Sequence, residues 1–286
     1  MASSKEIKLQ ILGIRKIQKI TSAMRNVAAS KMRRAQQHME NSMPYATKIS
    51  EVVMHVACHQ HEYQHPYLQN HKRLRKVGYI IVSTDRGLCG GLNLNLFKIA
   101  LEQANNFQKD GVEVEWCLFG KKAEVFFRNV MASVVAHASS YGHVPKVSDL
   151  LGSIKVMLDA YNAERIDKLF IIHNEFVSTI VQKPVITQLL PITEIKCYKG
   201  YHRSYLYEPA AKVLLDTLMM RYIESQVYQA VVDNIACEQV ARMVAMKNAT
   251  DNSEEVIDSL QLMYNKARQA AITREIAEIV GGAEAV

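Results

Sequence analysis

A long C-terminal stretch of the chain contains no helix-breaking residue, since no glycine or proline stands between Ala210 and Val280. One α-helix over these roughly 70 residues would be on the order of 100 Å long, at 1.5 Å per residue. A compact domain formed by all 286 residues would have a radius of gyration of only about 19 Å. The helix is therefore expected to project from its domain and to need a packing partner.

The N-terminal segment offers that partner, because it has no glycine or proline between Gly13 and Pro44. Both segments repeat apolar or small residues at alternating spacings of three and four, the pattern of a coiled-coil seam. The predicted N-terminal seam is Ile7, Ile11, Ile14, Gln18, Thr21, Met24, Ala28, Met32, Ala35 and Met39. The predicted C-terminal seam is Tyr228, Val232, Ile235, Met246, Ala249, Val256, Leu260, Met263, Ala267 and Ala270, interrupted at Gln239, Arg242 and Ser253.

The two helices are expected to pack antiparallel, because they lie at opposite ends of the chain and enter one domain. Residues 1–57 carry ten Lys or Arg and three Asp or Glu, whereas residues 210–286 carry seven and eleven. These opposite net charges favour pairing. A helical bundle is the alternative, although the sequence shows no third and fourth long amphipathic helix to complete it.

The C-terminal helix is longer than its partner, so roughly 15–25 residues at its end are expected to be a single helix. Its apolar residues Ile272, Ile276, Ile279 and Val280 would then have no partner within the chain. Exposed apolar patches of this kind usually mark an interface. Another protein is therefore expected to surround this tip.

A dense set of basic residues along the first helix predicts a contact with an acidic protein surface, with a solvated helix face as the alternative. The residues are Arg15, Lys16, Lys19, Arg25, Lys31, Arg33 and Arg34. Nucleic acid is not expected as a partner, because no aromatic residues alternate with these charges for bases to stack on.

Residues 76–192 change character, since β-rich apolar runs alternate with helical patterns. Strands are predicted near 77–83, 112–120, 131–138, 168–176 and 179–191, with helices at about 95–109 and 148–162. This alternation predicts a Rossmann-like α/β domain with a mainly parallel sheet. The last two strands stand close together and predict an antiparallel hairpin at one edge.

The predicted organisation has five segments. They are an N-terminal coiled-coil helix at 1–57, a linker at 58–75, the α/β domain at 76–192, a connector or foot at 193–209, and a C-terminal coiled-coil helix at 210–286.

The loop from Ser83 to Gly91 stands where a Rossmann fold places its phosphate loop. Its glycines lack the spacing of a dinucleotide fingerprint, and no Walker A Lys-Ser/Thr pair is present. A tight turn that needs glycine conformations is the prediction, and no cofactor is expected.

No catalytic residue and no metal site are predicted. The stretch that contains His55, Cys58, His59, His61, His65 and His71 has no second Cys/His cluster to complete a metal site. No nucleophile motif with its context is found either. The five scattered cysteines predict free thiols in a reducing cytoplasm. No apolar run of 18 residues and no signal peptide are recognised in the sequence.

Four stretches carry a family resemblance: IRKIQKITSAMRNVAASKMRRAQ, STDRGLCGGLN, YLYEPAAKVLLDTLMMRYIESQVYQAVV, and the run from EQVARMVAMKNATDNSEEV to IVGGA. Together they resemble the gamma subunit of F-type ATP synthase, of the bacterial type. The resemblance covers essentially the whole chain and is strongest at both ends.

This resemblance implies a rotor shaft that couples ion flow to ATP synthesis or hydrolysis. The coiled coil would stand inside a ring of three alpha and three beta subunits. The globular domain would rest on the membrane-embedded c-ring beside the epsilon subunit. The subunit would itself be non-catalytic, and peripheral on the cytoplasmic face of the bacterial inner membrane through the c-ring only.

The resemblance also implies site residues. Arg242, Gln269 and Thr273, with Met24 and Arg25, would contact the beta subunits. Ile276, Ile279 and Val280 would turn in an apolar bearing, and Tyr205, Tyr207 and Glu208 would grip the c-ring and epsilon. A structural coiled-coil adaptor and a nucleotide-dependent enzyme with a coiled-coil arm are the alternatives. The first does not explain the α/β domain, and the second requires a phosphate loop.

Overall fold

The computed structural model describes residues 4–59, 65–69, 74–130, 133–140, 142, 145–192 and 211–284. The long helices are α1 (Ser4–His59) and α5 (Ala211–Glu284), and a short 3-10 turn covers Pro66–Leu68. Between them lie β1 (Lys76–Val82), α2 (Leu92–Lys109), β2 (Glu113–Phe119), α3 (Lys121–Asn129), β3 (Val134–Ala138), α4 (Val147–Asn162), β4 (Lys168–Phe176) and β5 (Gln182–Leu190).

The chain divides into two compact units. The coil unit consists of residues 1–29 and 242–286, and the sheet unit consists of residues 30–241. The helix α1 continues through Gly13 and Pro44, and α5 continues through Gly281 and Gly282. Proline lacks the N–H that an internal helical position donates, so tertiary packing must offset the cost at Pro44. Ala46, Ile49 and Val53, which follow it, are all buried.

The sheet has the strand order β3-β2-β1-β4-β5. The pairs β1–β2, β1–β4 and β2–β3 are parallel, whereas β4 and β5 are antiparallel. The predicted mainly parallel sheet with an edge hairpin is therefore confirmed. The first helix after β1 begins at Leu92, three residues before the predicted start.

Alternating side chains of the central strand face two separate cores. Tyr79 and Ile81 pack with residues of α2 and α3, whereas Ile80 and Val82 pack with α4 and with both long helices. Both faces of β1 are thus covered, which explains why its sequence is a continuous apolar run rather than an alternating one. The sheet unit has the two-sided packing that the sequence predicts for a Rossmann-like domain.

The long helices pair antiparallel in the coil unit. Ile7 and Ile11, near the start of α1, cluster with Ile257, Leu260 and Tyr264 of α5. Further along α1 the contact has moved back towards the start of α5, since the Oγ1 atoms of Thr21 and Thr250 are 2.9 Å apart. The predicted antiparallel coiled coil is confirmed.

The same helices also contact each other in the sheet unit, where Ser42 Oγ donates a hydrogen bond of 2.8 Å to Gln229 Oε1. Every predicted seam position of α1, from Ile7 to Met39, is buried or half-buried, including the polar Gln18. The α1 side of the seam was thus predictable from spacing.

Three predicted seam positions of α5 are wrong. Val256 and Met263 are 45% and 54% exposed, and Ala270 is exposed as well. Their neighbours Ile257 and Tyr264 occupy the seam instead. A heptad seam steps by three and then four, and apolar residues stand at both the third and the fourth position here. Spacing therefore predicts the repeat, but it does not show whether Val256 and Met263 or their neighbours Ile257 and Tyr264 face α1.

The predicted interruptions at Gln239, Arg242 and Ser253 do not interrupt packing. Gln239 and Arg242 are 1% and 8% exposed, and Ser253 is half-buried. Ser253 Oγ donates to the carbonyl of Ala249 within its own helix at 2.6 Å, which satisfies the hydroxyl. Within the described residues, no helix has the length and apolar character needed to cross a membrane.

Candidate partner-binding surface

The end of α5 is exposed on all sides. Every described side chain from Arg268 to Val280 is exposed, whereas Tyr264 and Ala267 still pack with α1. We call residues 268–280 the tip. Because the seam with α1 ends just before the tip, the last turns of this helix have no packing partner among the described residues.

Four apolar residues form one stripe on this tip. Ile272, Ile276, Ile279 and Val280 are 47%, 57%, 72% and 52% exposed. Spacings of four and three keep the three isoleucines on one helix face. Arg274, Glu275 and Glu278 stand between them and make the remaining surface polar.

Gln269 and Thr273 are also exposed, at the start of the tip. Thr273 Oγ1 donates to the carbonyl of Gln269 one turn earlier, at 2.9 Å. The hydroxyl oxygen keeps its acceptor capacity, and the Gln269 side chain can both donate and accept. Both residues therefore keep hydrogen-bonding capacity on the exposed surface of the tip.

Met24, Arg25 and Arg242 lie elsewhere in the coil unit. Met24 and Arg25 are half-buried, one turn after the Thr21–Thr250 contact. Arg242 is only 8% exposed, so little of its side chain is open to another protein. It is about 40 Å along α5 from Gln269, at 1.5 Å per residue. The predicted beta-contact residues thus fall into two separate groups. Tyr205, Tyr207 and Glu208, the predicted foot, lie outside the described residues.

The loop after β1 caps a neighbouring helix. The carboxylate of Asp85 accepts from the backbone N–H of Lys121 at 3.1 Å and of Ser140 at 3.0 Å. The next two amides of α3 are also used, since Lys122 N–H donates to the carbonyl of Thr84 and Ala123 N–H to Ser83 Oγ. A helix N-terminus attracts anions, and here Asp85 already supplies the negative charge.

A cavity of about 260 Å³ lies at the same carboxyl ends of the strands. Asp85, Arg86 and Lys121 line one part of it, and Asn234 and Glu238 of α5 line another. A Rossmann fold binds its ligand in this position. In this chain α5 forms one wall of the cavity. The position that holds a ligand in a Rossmann fold therefore packs against a helix here.

The loop from Ser83 to Gly91 contains left-handed backbone conformations, as predicted for a tight turn, but only one of the two residues that adopt them is a glycine. Gly90 has a φ of 59°, and the second left-handed residue is Leu88, with a φ of 64°. Leu88 is also 60% exposed. A leucine in this conformation is uncommon.

A buried amide pair fixes α5 against the sheet. Asn174 Nδ2 of β4 donates to Asn234 Oδ1 of α5 at 2.8 Å, and both residues are 1% exposed. One turn later, Cys237 Sγ donates to the carbonyl of Asn174 at 3.4 Å. Burial raises the pKa of the Cys237 thiol, with nearby Asp233 adding to the effect. A thiol that stays protonated is a packing residue rather than a nucleophile.

A second polar chain joins α1 to the same part of α5. Gln229 accepts from Ser42 and donates from Nε2 to Asp233 Oδ1 at 2.8 Å. Burial raises the pKa of Asp233 to about 6, the hydrogen bond from Gln229 opposes this, and Glu175 adds to the rise. Sequence patterning missed these contacts, although a run of polar residues inside an otherwise apolar helix was a visible signal.

The histidine stretch has a structural explanation at His65. Its Nδ1 accepts from the Tyr67 N–H at 3.1 Å, and its Nε2 lies 3.2 Å from Asp216 Oδ1. Burial lowers the pKa of His65, although Asp216 opposes the change, so the neutral ring donates through Nε2. His61 and His71 lie outside the described residues, as do the side chains of Cys58 and His59. Among the described side chains, no group of three or more His, Cys, Asp or Glu could hold a metal.

The comparisons with known proteins agree with one another. The sequence model of the ATP synthase family matches residues 3–286. The ATP synthase gamma chain of Coxiella burnetii (strain RSA 493 / Nine Mile phase I) is 55% identical over 288 aligned residues, which cover all of both chains.

Solved structures share the fold. A chain of the Euglena gracilis mitochondrial ATP synthase OSCP/F1/c-ring structure superposes with a TM-score of 0.69 at 20% identity, covering 99% of this chain and 94% of that one. A chain of the Tetrahymena thermophila mitochondrial ATP synthase central stalk/c-ring structure gives a TM-score of 0.60 at 22% identity, with 80% and 99% covered.

Proposed function

Because the chain belongs to the ATP synthase gamma-chain family, we propose that it is the central rotor shaft of an F-type ATP synthase. The observation that carries the proposal is the tip of α5, whose side chains are exposed on all sides after the seam with α1 has ended. A solvent-exposed apolar stripe calls for a covering protein. A ring of alpha and beta subunits around the tip would supply it.

An apolar contact suits a rotating shaft. Ile276, Ile279 and Val280 would turn inside a sleeve made by the ring. Burial of apolar surface is favourable and non-directional, so the contact holds the shaft without fixing its angle. Hydrogen bonds at every position would instead create a barrier at each step of rotation.

Coupling requires that the shaft look different to each subunit around it. The tip does, since its isoleucine stripe lies on one face and Arg274, Glu275 and Glu278 lie on others. A shaft that contacts three beta subunits with three different faces stabilises a different conformation of each nucleotide site. Rotation then exchanges these conformations, which drives ATP synthesis in one direction and uses ATP in the other.

The polar contacts divide into two levels in this proposal. Gln269 and Thr273 meet the beta subunits near the tip. The small exposed part of Arg242, about 40 Å away along α5, and Met24 and Arg25 of α1 meet them at the second level. The exposed basic residues Arg33 and Arg34 of α1 face an acidic loop of beta. Arg forms bidentate contacts with carboxylates that orient as well as attract.

The sheet unit would rest against the c-ring and the epsilon subunit, through Tyr205, Tyr207 and Glu208. Membrane association would come from the c-ring only. Because the similar gamma chain of Coxiella burnetii comes from a bacterium, we propose that the complex lies on the cytoplasmic face of a bacterial inner membrane. Catalysis of ATP turnover would belong to the beta subunits, with this chain non-catalytic.

The test is reconstitution of the chain with its alpha and beta partners. A cysteine is introduced at Lys98→Cys on α2, where the native side chain is 76% exposed, after replacement of Cys58 and Cys197. The described native thiols Cys89, Cys117 and Cys237 are buried and would react poorly. A bead attached at this cysteine should rotate in three steps per turn when ATP is added.

The tip supplies a matched pair of variants. Ile276→Asp with Ile279→Asp places charges on the apolar stripe, and we expect about tenfold weaker retention of the chain by the ring. Leu94→Asp on α2 alters an equally exposed apolar residue, 66% exposed, and should leave retention unchanged. An alpha/beta ring that assembles and hydrolyses ATP without retaining the wild-type chain would contradict the rotor and favour a structural adaptor.

A further inference from the structure

The two edges of the sheet are protected to different degrees. The edge strand β5 carries Lys183 and Pro184, which hinder pairing with a further strand. The other edge strand, β3, has the sequence VVAHA and carries neither a proline nor a permanent charge. Natural proteins usually blunt an edge that must stay free, so the unprotected edge is the one suited to accept a strand.

The inner side of β3 is fully engaged with β2. Trp116 N–H donates to the carbonyl of Ser133 at 2.9 Å, and Gly120 N–H donates to the carbonyl of Ala138 at 2.8 Å. No other described strand pairs with the outer side of β3. Val134 and Val135 are 38% and 37% exposed, so apolar side chains accompany the unpaired backbone.

An acidic concavity of about 410 Å³ lies where β3 begins, lined by Lys76, Glu113, Glu115 and Ser133 among others. One lysine serves two carboxylates there, since Lys76 Nζ is 2.9 Å from Glu113 Oε2 and 3.1 Å from Glu115 Oε1. The second oxygen of Glu115 is buried and has no hydrogen-bond partner among the described residues. A buried carboxylate oxygen without a partner is costly, and one negative charge remains unbalanced.

We propose that the outer edge of β3 is a docking site for an extended strand of a partner protein, with a Lys or Arg of that strand placed against Glu115. The strand adds to the sheet by β-augmentation, in which backbone hydrogen bonds give affinity and side-chain sites give selectivity. The cation balances the net negative charge that Lys76 leaves on Glu113 and Glu115. The inference rests on the proposed function for the source of the strand, another subunit of the assembled complex.

A second copy of this chain fits the site less well. Two β3 edges placed together would have to supply the cation from residues 133–140, which contain no Lys or Arg. Both copies would instead bring an unbalanced carboxylate to the interface. The charge of the concavity therefore selects a basic strand from a different protein.

Hydrogen–deuterium exchange tests the edge directly, on the full chain alone and within the assembled ATP synthase complex. We expect the amides of Val134–Ala138 that face outward to exchange at least tenfold more slowly in the complex. The amides of Lys183, Val185, Ile186 and Thr187 in β5 are the internal control and should not change. Equal β3 exchange in both states would overturn the proposal, as would protection already present in the free chain through self-association.

Glu115→Gln tests the charge while keeping the shape of the side chain. We expect the β3 amides to exchange about tenfold faster in the variant complex than in the wild-type complex. The matched control is Glu102→Gln on α2, whose carboxylate is 62% exposed and pairs with the surface residue Lys98, and it should keep full protection. Unchanged β3 protection in Glu115→Gln would overturn the role of the cation. A chain that never enters the complex would overturn the proposed function, whereas an assembled chain with unprotected β3 would overturn this inference alone.

Discussion

The single helix α5 contains two stretches with opposite surroundings. From Ala230 to Val240 every residue but the half-buried Asp233 is buried, because this stretch packs between the sheet, α4 and α1. We call residues 215–240 the docked half. From Arg268 to Val280 every residue is exposed. Yet both stretches are helical and both contain isoleucines, so composition does not separate them.

The difference shows that the two stretches are helical for different reasons. In the docked half, tertiary packing of buried side chains such as Ile223 and Ile235 supplies the stability. In the tip, Ala, Arg, Glu and Gln supply intrinsic propensity, and the preceding turns remove the cost of nucleation. The docked half is therefore stabilised by contacts within the chain, whereas the tip can be buried only by a partner protein.

Replacing an isoleucine by alanine should change the free energy of unfolding by very different amounts in the two stretches, and this is the largest expected difference. Ile223→Ala removes a fully buried side chain from the docked half, and large-to-small changes of this kind cost about 2–5 kcal/mol. Ile276→Ala changes a side chain that is 57% exposed, and alanine has the higher helix propensity, so we expect a change within about 0.5 kcal/mol. Denaturant unfolding followed by Trp116, the single tryptophan and a buried residue of the sheet unit, measures the first effect.

For Ile276→Ala, the change in stability is measured from the loss of helicity, followed by circular dichroism. A cost of about 2 kcal/mol or more for Ile276→Ala in the free chain, a value typical of core positions, would mean that the tip is packed without a partner, and the contrast would break. In the assembled complex we expect Ile276→Ala to become more costly relative to Ile223→Ala, since the ring would then bury Ile276.

The buried amide pair comes next in size. Asn234→Ala removes the acceptor of Asn174 Nδ2, and Asn174 is 1% exposed. A buried donor left without a partner costs about 1–3 kcal/mol. Asn252→Ala changes an exposed asparagine of the same helix and should cost almost nothing. Equal effects of the two substitutions on Trp116-detected unfolding would show that Asn234 does not fix α5 to the sheet.

Asp233 makes the docked half sensitive to pH. Burial raises its pKa from 3.8 to about 6, so folding favours the protonated acid. That contribution is fully present below pH 3.8 and disappears as the pH rises through about 6. An asparagine at this position would be neutral throughout, so we expect Asp233→Asn to stabilise the sheet unit by about 1–2 kcal/mol at about pH 8 and by almost nothing at about pH 3.5.

His173 must be separated from this effect. Burial lowers its pKa from 6.5 to about 4, so its contribution to stability is lost as the pH falls through that range. The two slopes oppose each other in the wild type, but His173 is present in both proteins. The difference between Asp233→Asn and wild type at each pH therefore isolates Asp233, and a difference that does not change with pH would contradict the burial of its carboxylate.

Much of the fold was predictable because it follows from local patterning. Absence of glycine and proline gave α5, the alternation of strands and helices gave the parallel sheet, and the spacing from Ile7 to Met39 gave one side of the seam. These features depend on residues close in sequence. The apolar tip was also predictable, since it follows from a difference in length between two helices.

The remainder depended on contacts between distant residues. Whether Val256 or Ile257 enters the seam is decided by the rotation of α5 against α1, and both residues satisfy the spacing. Gln239 looked like a break in an apolar pattern, yet it is 1% exposed. Asp85 caps α3 across a gap of 36 residues to Lys121. Partner contacts such as Gln269 came only from the family resemblance, because exposure alone does not show which surface is used.

The smallest expected effect compares two threonines of the coil unit. Thr250→Val removes the hydroxyl that contacts Thr21 across the helix pair, but Thr21 keeps its bond to the carbonyl of Gln18. No donor is left without an acceptor, so the cost should be about 0.5–1 kcal/mol. Thr273→Val in the tip removes a hydroxyl bonded only to its own helix and should change stability by less than about 0.5 kcal/mol. Amide exchange of the coil unit in the free chain measures both. A Thr273→Val effect as large as that of Thr250→Val would mean that the tip has a packing partner within the chain, and its exposed face would no longer call for a surrounding ring.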